Sequence, residues 1–323
     1  MTAPRIFAVA AAVLCMAIAG RCGAQNFPLK PIHLVVPYGA GGTPDVLSRW
    51  IAQRLTERIG QPVIVDNRPG ASGVIAADIV AKSSPDGYAL FVGDTGHLAI
   101  NPSLQPNWPY DALRDFAPVT LAASGPYYMA VSSKLPVNSV ADLIAYARSN
   151  PGLPYGSSGN GSAHHLGMEL FRLMADLKMT HIPYKGVAQS VPAVVSGEVA
   201  VVLAALPSLT PHVKSGKVRI LAFARVKRTP ATPDIPTIAE SGVPGYDLET
   251  GVGYLAPANT PKDIVAKLST DIGALLKLPE AAQQLAVLGI EPIGNSPEQF
   301  GETIRAWIQK YSKLVKDVGA RAD

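Results

Sequence analysis

Cysteine is almost missing from this chain of 323 residues: there are two, Cys15 and Cys22, and both fall within the first two dozen positions. Charge is scarce too, with 28 Lys and Arg against 24 Asp and Glu, 16% of residues and a formal balance of +4. That is too little for a dedicated nucleic-acid binder. No apolar run reaches the roughly 20 residues that a bilayer-spanning helix needs. Apolar material, by contrast, is plentiful at 48%, enough for a packed core and incompatible with wholesale disorder. Proline and glycine, 29 of each, recur at no fixed period, so collagen-like and low-complexity readings fail and the excess marks loops. The length predicts two domains.

Residues 1–24 differ from the rest: Arg5 supplies a positive n-region, residues 6–20 are apolar, and Cys22-Gly23-Ala24 places small residues before a cleavage point at Gln25. This pattern predicts a cleaved secretory signal peptide and delivery to the periplasm. Cys22 offers a lipoprotein alternative, against which stands the bulky cation Arg21 where a small residue is wanted. Cleavage after Ala24 leaves 299 residues with no cysteine and a balance of 26 to 24. Disulfides, thiolate metal sites and cysteine nucleophiles are then excluded together, and the core alone must hold the fold.

Along the mature chain short apolar runs alternate with amphipathic ones. Residues 32–36 predict a buried strand, and 44–59 predict a helix with Val46, Leu47, Trp50, Ile51, Leu55 and Ile59 on one face. Runs at 63–65, 74–82 and 88–93 continue the alternation, which predicts the α/β class with a mainly parallel sheet. A second series starts near Tyr127, with Ser139 as a helix N-cap, strands at 153–155 and near 180–182, a helix from Ala163, and buried strands over 199–206 and 219–224. Residues 229–236 read as a Pro-rich loop, and helices over 261–276, 279–288 and 297–318 each open on proline. Two series of similar size predict two lobes: 25–124 with 226–323, and 125–225, the chain crossing near Gly125 and Arg225.

Two loops carry candidate chemistry. Residues 37–45, Pro-Tyr-Gly-Ala-Gly-Gly-Thr-Pro-Asp, join a strand to a helix, so free backbone N–H groups and the positive helix end face whatever binds above the sheet. The loop lacks the Lys-Ser/Thr pair of a P-loop and the third glycine of a dinucleotide fingerprint. It reads as an anion cradle or as a tight turn, and Asp45 serves the helix dipole and Arg49 as readily as a ligand. Residues 156–162, Gly-Ser-Ser-Gly-Asn-Gly-Ser, form a second such loop, and two facing cradles suit a cleft that clamps a small anion. His165 and Glu169 share a helix face but find no third ligand at a recognisable spacing, so no metal is expected. Ser157, Ser158, Ser162 and His97 supply the residue types of a serine hydrolase without its glycine-flanked nucleophile elbow. Lys185 is either a ligand's ion-pair partner or a solvated turn lysine.

Taken together, these loops resemble the periplasmic substrate-binding proteins of tripartite tricarboxylate transporters, the Bug receptors. The resemblance rests on Val36-Pro37-Tyr38 with Gly41-Gly42 and Asp45, Asp66-Asn67-Arg68-Pro69-Gly70-Ala71, Pro85-Asp86-Gly87-Tyr88, Ala99-Ile100-Asn101-Pro102 and Asp115-Phe116-Ala117-Pro118-Val119. It continues through Tyr155-Gly156-Ser157, Gly159 to Ser162, His165-Leu166, Tyr184-Lys185-Gly186, Pro211-His212, Leu255-Ala256-Pro257 and Thr260-Pro261, nearly the whole mature chain. It implies a bilobal type II periplasmic-binding-protein fold of two Rossmann-like lobes, no catalytic residues and no cofactor, and a small carboxylate ligand gripped by the first glycine loop. Carried over residue by residue, the ligand-binding set is Tyr38, Ala40, Gly41, Gly42 and Asp45, then Thr95, Ser158, Gly161, Ser162 and His165. The implied partners are the ligand and the membrane permease subunits of a transporter, with the receptor itself a monomer.

Three positions depart from the family pattern. Ala204 stands where the family usually has Asp, Gln189-Ser190-Val191-Pro192-Ala193 replaces a Pro-Ala-x-x-Asp stretch, and Gly251-Val252 replaces an aromatic pair. Loss of a carboxylate and of aromatic bulk reshapes the pocket and makes amino-acid ligands less expected. An exported hydrolase or lyase using the same cleft, and a receptor turned to signalling, are the competing functions.

Overall fold

A computed structural model of the chain describes residues 27–105, 107–229, 232–286 and 289–320. The leader, with Arg5, Cys15, Cys22 and the cleavage point after Ala24, lies outside them, as do the last two residues of the helix expected over 279–288.

The chain first lays down β1 (Ile32–Val36), α1 (Thr43–Ile59), β2 (Val63–Asn67), α2 (Val74–Ala81), β3 (Ala89–Asp94), α3 (Asn101–Leu104) and β4 (Phe116–Ser124). It then crosses to β5 (Tyr128–Ser132), α4 (Val140–Ser149), β6 (Leu153–Ser157), α5 (Ala163–Met174), β7 (Met179–Pro183), α6 (Val187–Ser196), β8 (Val201–Ala204), α7 (Leu206–Lys214) and β9 (Val218–Phe223). It returns for β10 (Gly251–Pro257), α8 (Lys262–Leu276), α9 (Pro279–Ala286), β11 (Glu291–Pro292) and the long α10 (Pro297–Val318).

Local sequence explains the elements on either side of the first loop. Leu47, Ile51 and Leu55 bury one stripe of α1, and Gly60, at φ +69°, ends the helix by donating its N–H to the Thr56 carbonyl. Ser139 caps α4 as expected, its hydroxyl accepting from the Asp142 N–H at 3.0 Å.

The two sheets share one five-strand order, to which the first adds β11 at its edge. The first runs β2-β1-β3-β10-β4-β11 and the second β7-β6-β8-β5-β9. In both, three strands are parallel and the fourth is antiparallel to its neighbours: β10 pairs antiparallel with β3 and β4, and β5 with β8 and β9. The sheets are therefore mixed, less uniformly parallel than the alternation alone predicts. Each antiparallel strand is the first that the chain lays down after changing lobes, and it inserts into the interior of the sheet it enters, between the third strand and the last of that series. That placement is the type II bilobal architecture. Residues 236–248 keep their backbone hydrogen bonds with the second sheet, Phe223 N–H to the Pro236 carbonyl and Leu248 N–H to the Ala224 carbonyl, and the chain rejoins the first sheet at Gly251. Helix α10 lies against both lobes: Trp307 and Tyr311 are fully buried in the core that also holds Phe91 of the first sheet and Tyr155 of the second.

Candidate functional site

The carboxyl ends of β1, β6, β7 and β8 converge between the lobes, and each passes within a few residues into a helix: α1, α5, α6 and α7. This is where ligands bind in α/β sheets. The space enclosed is a cavity of about 600 Å³, walled by Tyr38, Gly42, Thr43, Asp94, Thr95 and Thr250 from one lobe and Tyr127, His164, Lys185, Val187 and Ala205 from the other. A recess of about 430 Å³ continues it past Gly41, Val46, Pro207 and Ile290.

All four helices direct their N-termini at this cavity, and the N–H groups of a first helical turn have no intrahelical partner. Only α5 is capped by a side chain, Ser162 Oγ accepting from the His165 N–H at 3.1 Å. The N-caps of α1, α6 and α7 are Gly42, Gly186 and Ala205, which offer no capping side chain. The helix dipoles add partial positive charge at the same place.

Asp45 shapes the first loop from beneath. It is buried, accepts from the Gly41 N–H at 2.8 Å and from Asn67 Nδ2 at 2.9 Å, and pairs with Arg49 at 2.9 Å. Burial alone raises its pKa; the hydrogen bonds from Arg49, Gly41 and Asn67 outweigh that and hold the carboxyl below its usual range. Gly41 takes φ +92°, a left-handed conformation that a glycine adopts without strain, and its N–H is committed to Asp45. Ala40 is exposed on the loop.

Asp94, at the end of β3, is the acid on the wall. Its Oδ2 accepts from the Tyr38 hydroxyl at 2.5 Å, and its Oδ1 accepts from the His97 N–H at 3.1 Å. His97 Nδ1 lies 2.7 Å from Oδ1, close enough for charge attraction but off the axis of a hydrogen bond. Burial pushes the carboxyl's pKa up, and His97 and Tyr38 more than reverse it. The Tyr38 hydroxyl is pushed well above its ordinary range, by burial first and by Asp94 second. Thr95 Oγ1 accepts from the Gly251 N–H at 2.9 Å and Thr250 Oγ1 donates to the Gly125 carbonyl at 2.7 Å, so both threonines tie crossing strands together at the cavity floor.

The second loop closes on itself. Ser158 Oγ lies 2.7 Å from His164 Nδ1, Ser157 Oγ lies 2.6 Å from His181 Nε2, the Gly161 N–H donates to His165 Nδ1 at 3.0 Å, and Ser162 Oγ donates to the Gly159 carbonyl at 2.7 Å. His165 stacks on His181 with centroids 3.9 Å apart. Glu169 takes Arg172 at 2.8 Å and the Tyr155 hydroxyl at 2.7 Å, and among the described residues no group of three His, Cys, Asp or Glu is placed to hold a metal. Gly161 packs across the lobes, where a Cβ would stand 2.2 Å from Leu104 Cδ1.

Of the residues singled out in the sequence, Tyr38, Gly42 and Thr95 reach the cavity and Gly41 reaches the recess, whereas Asp45, Ser158, Gly161, Ser162 and His165 lie behind the wall as loop supports. The second loop presents its next residues, Ala163 and His164. Burial lowers the His164 pKa to about 4, so the imidazole is neutral at physiological pH, and its ring leans on Tyr127 with centroids 4.4 Å apart. Asp94, Tyr127, Ala205 and Thr250 escaped sequence reasoning because each stands alone at a strand or helix end with no local motif. Ala204, the position of the missing family Asp, is buried inside β8 opposite Tyr128.

A family model described as "Tripartite tricarboxylate transporter family receptor" matches residues 47–320. The chain belongs to this family. BugT of Bordetella pertussis is 34% identical over 99% of both chains. Among solved structures, R. palustris Rpa4515 with adipate is 41% identical over 91% of this chain and 99% of its own, with a TM-score of 0.81. MatC from Rhodopseudomonas palustris with bound malate is 29% identical over 90% of this chain and 100% of its own, at a TM-score of 0.75. The family receptor is a solute-binding protein and not an enzyme, which sets the hydrolase and lyase readings aside, and its solved relatives include periplasmic binding proteins. No helix among the described residues is long and apolar enough to cross a membrane.

Proposed function

We propose that this receptor captures a small organic acid between its lobes, gripping one carboxylate with the backbone N–H groups that open α1 and its three partner helices, and presents it to the permease subunits of its transporter. The observation that carries the reading is the convergence of four helix N-termini, three of them without a side-chain cap, on one cavity. Adipate in one relative and malate in another support a ligand of this class. Tyr38, Gly42 and Thr95 touch the ligand; Asp45, Ser158, Gly161, Ser162 and His165 hold the loops that do. Residues 25–124 with 226–323 form one lobe and 125–225 the other, with 236–248 carried on the second, and the receptor acts as a monomer.

A thermal-shift and calorimetric panel of adipate, malate and other short acids tests the reading. A ligand at a hundred times its dissociation constant is expected to stabilise the protein by about 2.7 kcal/mol. Gly42 has φ −77° and, within 4 Å of its Cβ direction, only Pro44 Cδ at 3.9 Å, so Gly42→Val adds bulk to the cavity without backbone strain. This variant is expected to keep its melting midpoint and lose binding, whereas Ser162→Ala is expected to lose about 1 kcal/mol of stability as a helix cap and keep its affinity. Normal binding by Gly42→Val would contradict the grip.

Export completes the proposal: the leader of residues 1–24 is removed and the receptor works in the periplasm from Gln25 onward. Intact mass of the exported protein is expected to match a chain starting at Gln25, and a lipid-bearing Cys22 would contradict it.

A further inference from the structure

Asp94 is an anomaly in a cavity that four helix N-termini make attractive to anions. Among the described residues lining it, Asp94 is the only acid and Lys185 the only lysine or arginine. Its side chain keeps 21% exposure, so it is reachable from the cavity. The Tyr38 hydroxyl and the His97 N–H each donate to one of its oxygens, at 2.5 and 3.1 Å, with His97 Nδ1 a further 2.7 Å contact. An ionised carboxylate offers about four acceptor positions, so these partners leave at least one lone pair unused. The same partners keep Asp94 ionised at neutral pH despite its burial.

A carboxylate facing this cavity repels an anionic ligand unless the ligand brings a hydrogen to the lone pair that Tyr38 and His97 leave unused. Asp94 shares the cavity wall with Gly42 and Thr43, which open α1, and its partner Tyr38 belongs to the loop that leads to them, so a ligand gripped at α1 meets Asp94 through a group near its carboxylate. We infer that Asp94 is a specificity-determining residue that accepts a hydrogen bond from an ammonium or hydroxyl group next to the ligand's gripped carboxylate, so that amino or hydroxy acids are preferred over unsubstituted ones. The inference rests on the carboxylate reading above and refines it. It departs from the expectation drawn at Ala204, where the loss of an acid made amino-acid ligands less expected.

Calorimetry on the full mature receptor with two matched series tests it: succinate, malate and aspartate, and adipate, 2-hydroxyadipate and 2-aminoadipate. The wild-type receptor is expected to bind a substituted member about ten- to a hundredfold more tightly than its unsubstituted parent, the range of a hydrogen bond to a charged group. Asp94→Asn is expected to move the two in opposite directions, weakening the substituted acid and strengthening the parent as the like charge is removed. A structural role for Asp94 would weaken both alike, and that result overturns the inference, as does a wild-type receptor that prefers the unsubstituted parent. The wild-type comparison stands even if Asp94→Asn does not fold. If none of the six acids binds, the carboxylate reading falls and this inference with it; if a parent binds and substitution brings no gain, the inference alone falls. Between the two substituted acids, preference for the amino member identifies a charge contact and preference for the hydroxy member a neutral one.

Discussion

Gly253→Ala is expected to cost the protein about 3 kcal/mol of stability, the upper end of what overpacking a core typically does. Gly253 lies in β10, which is flanked by β3 and β4. A Cβ there would stand 2.2 Å from Phe300 Cζ and 2.8 Å from the Thr120 carbonyl oxygen. The Phe300 ring has no room to retreat, being fully buried among the residues of the core shared by both lobes. The Thr120 carbonyl belongs to β4, so moving it disturbs the ladder on which the first lobe is built. Chemical unfolding against Gly39→Ala, where nothing lies within 4 Å, separates this clash from the general effect of replacing a glycine. A midpoint for Gly253→Ala equal to that of Gly39→Ala would show that Phe300 and β4 yield cheaply.

Asp45→Ala is expected to abolish measurable ligand affinity although Asp45 does not reach the cavity. The carboxylate is 2% exposed and serves Gly41, Asn67 and Arg49 at once. Its removal takes the acceptor from the Gly41 N–H and from one Asn67 amide hydrogen, the Asn67 amide keeping the Tyr38 carbonyl at 3.1 Å, while Arg49, whose side chain is 53% exposed, keeps Asn67 Oδ1 at 2.9 Å and otherwise turns to water. The stability cost is about 2 to 3 kcal/mol, because two partly buried donors lose their acceptor but no buried charge is left unpaired. The cost to binding is larger, since the left-handed turn at Gly41 no longer has the bond that sets it and Gly42 and Thr43 lose their place at the start of α1. Calorimetry and unfolding on the same variant check both parts. Retained affinity together with lost stability would show that the loop keeps its shape without Asp45.

The loop that Asp45 organises is legible in the sequence because strand, glycines and helix follow one another within residues 32–59, and each signal is local. The same holds for the strand at 32–36, apolar but for His33, and for the apolar block 199–206, of which 201–204 forms the strand and Leu206 already opens α7. The central strands β4 and β10 are not legible as strands. β4 carries Pro118, and β10 opens Gly-Val-Gly, residues that weaken a strand in isolation; here Trp307 and Phe300 of α10, a distant part of the chain, fill the space above the glycines. α7 hides behind Pro207 and Pro211, which read as breakers, although Pro207 falls in the first turn where its missing N–H costs nothing. Residues 156–162 look like a second open cradle because serines, glycines and an asparagine are potential donors. That their hydrogen bonds are consumed by His164, His165, His181 and the loop's own carbonyls depends on where β7 and α5 bring those side chains.

The donors at the mouths of α1, α6 and α7 belong to the main chain, and their capping positions are glycine, glycine and alanine. No point mutation to a residue other than proline can delete a main-chain amide. The donors themselves thus survive side-chain substitution wherever Gly42 stays small and Asp45 keeps the loop in shape, while the side chains that face the remainder of the molecule, Asp94, His164, Lys185 and Val187 among them, are free to change separately. Substitutions confined to those cavity side chains can therefore alter which acid is held while the main-chain grip stays in place.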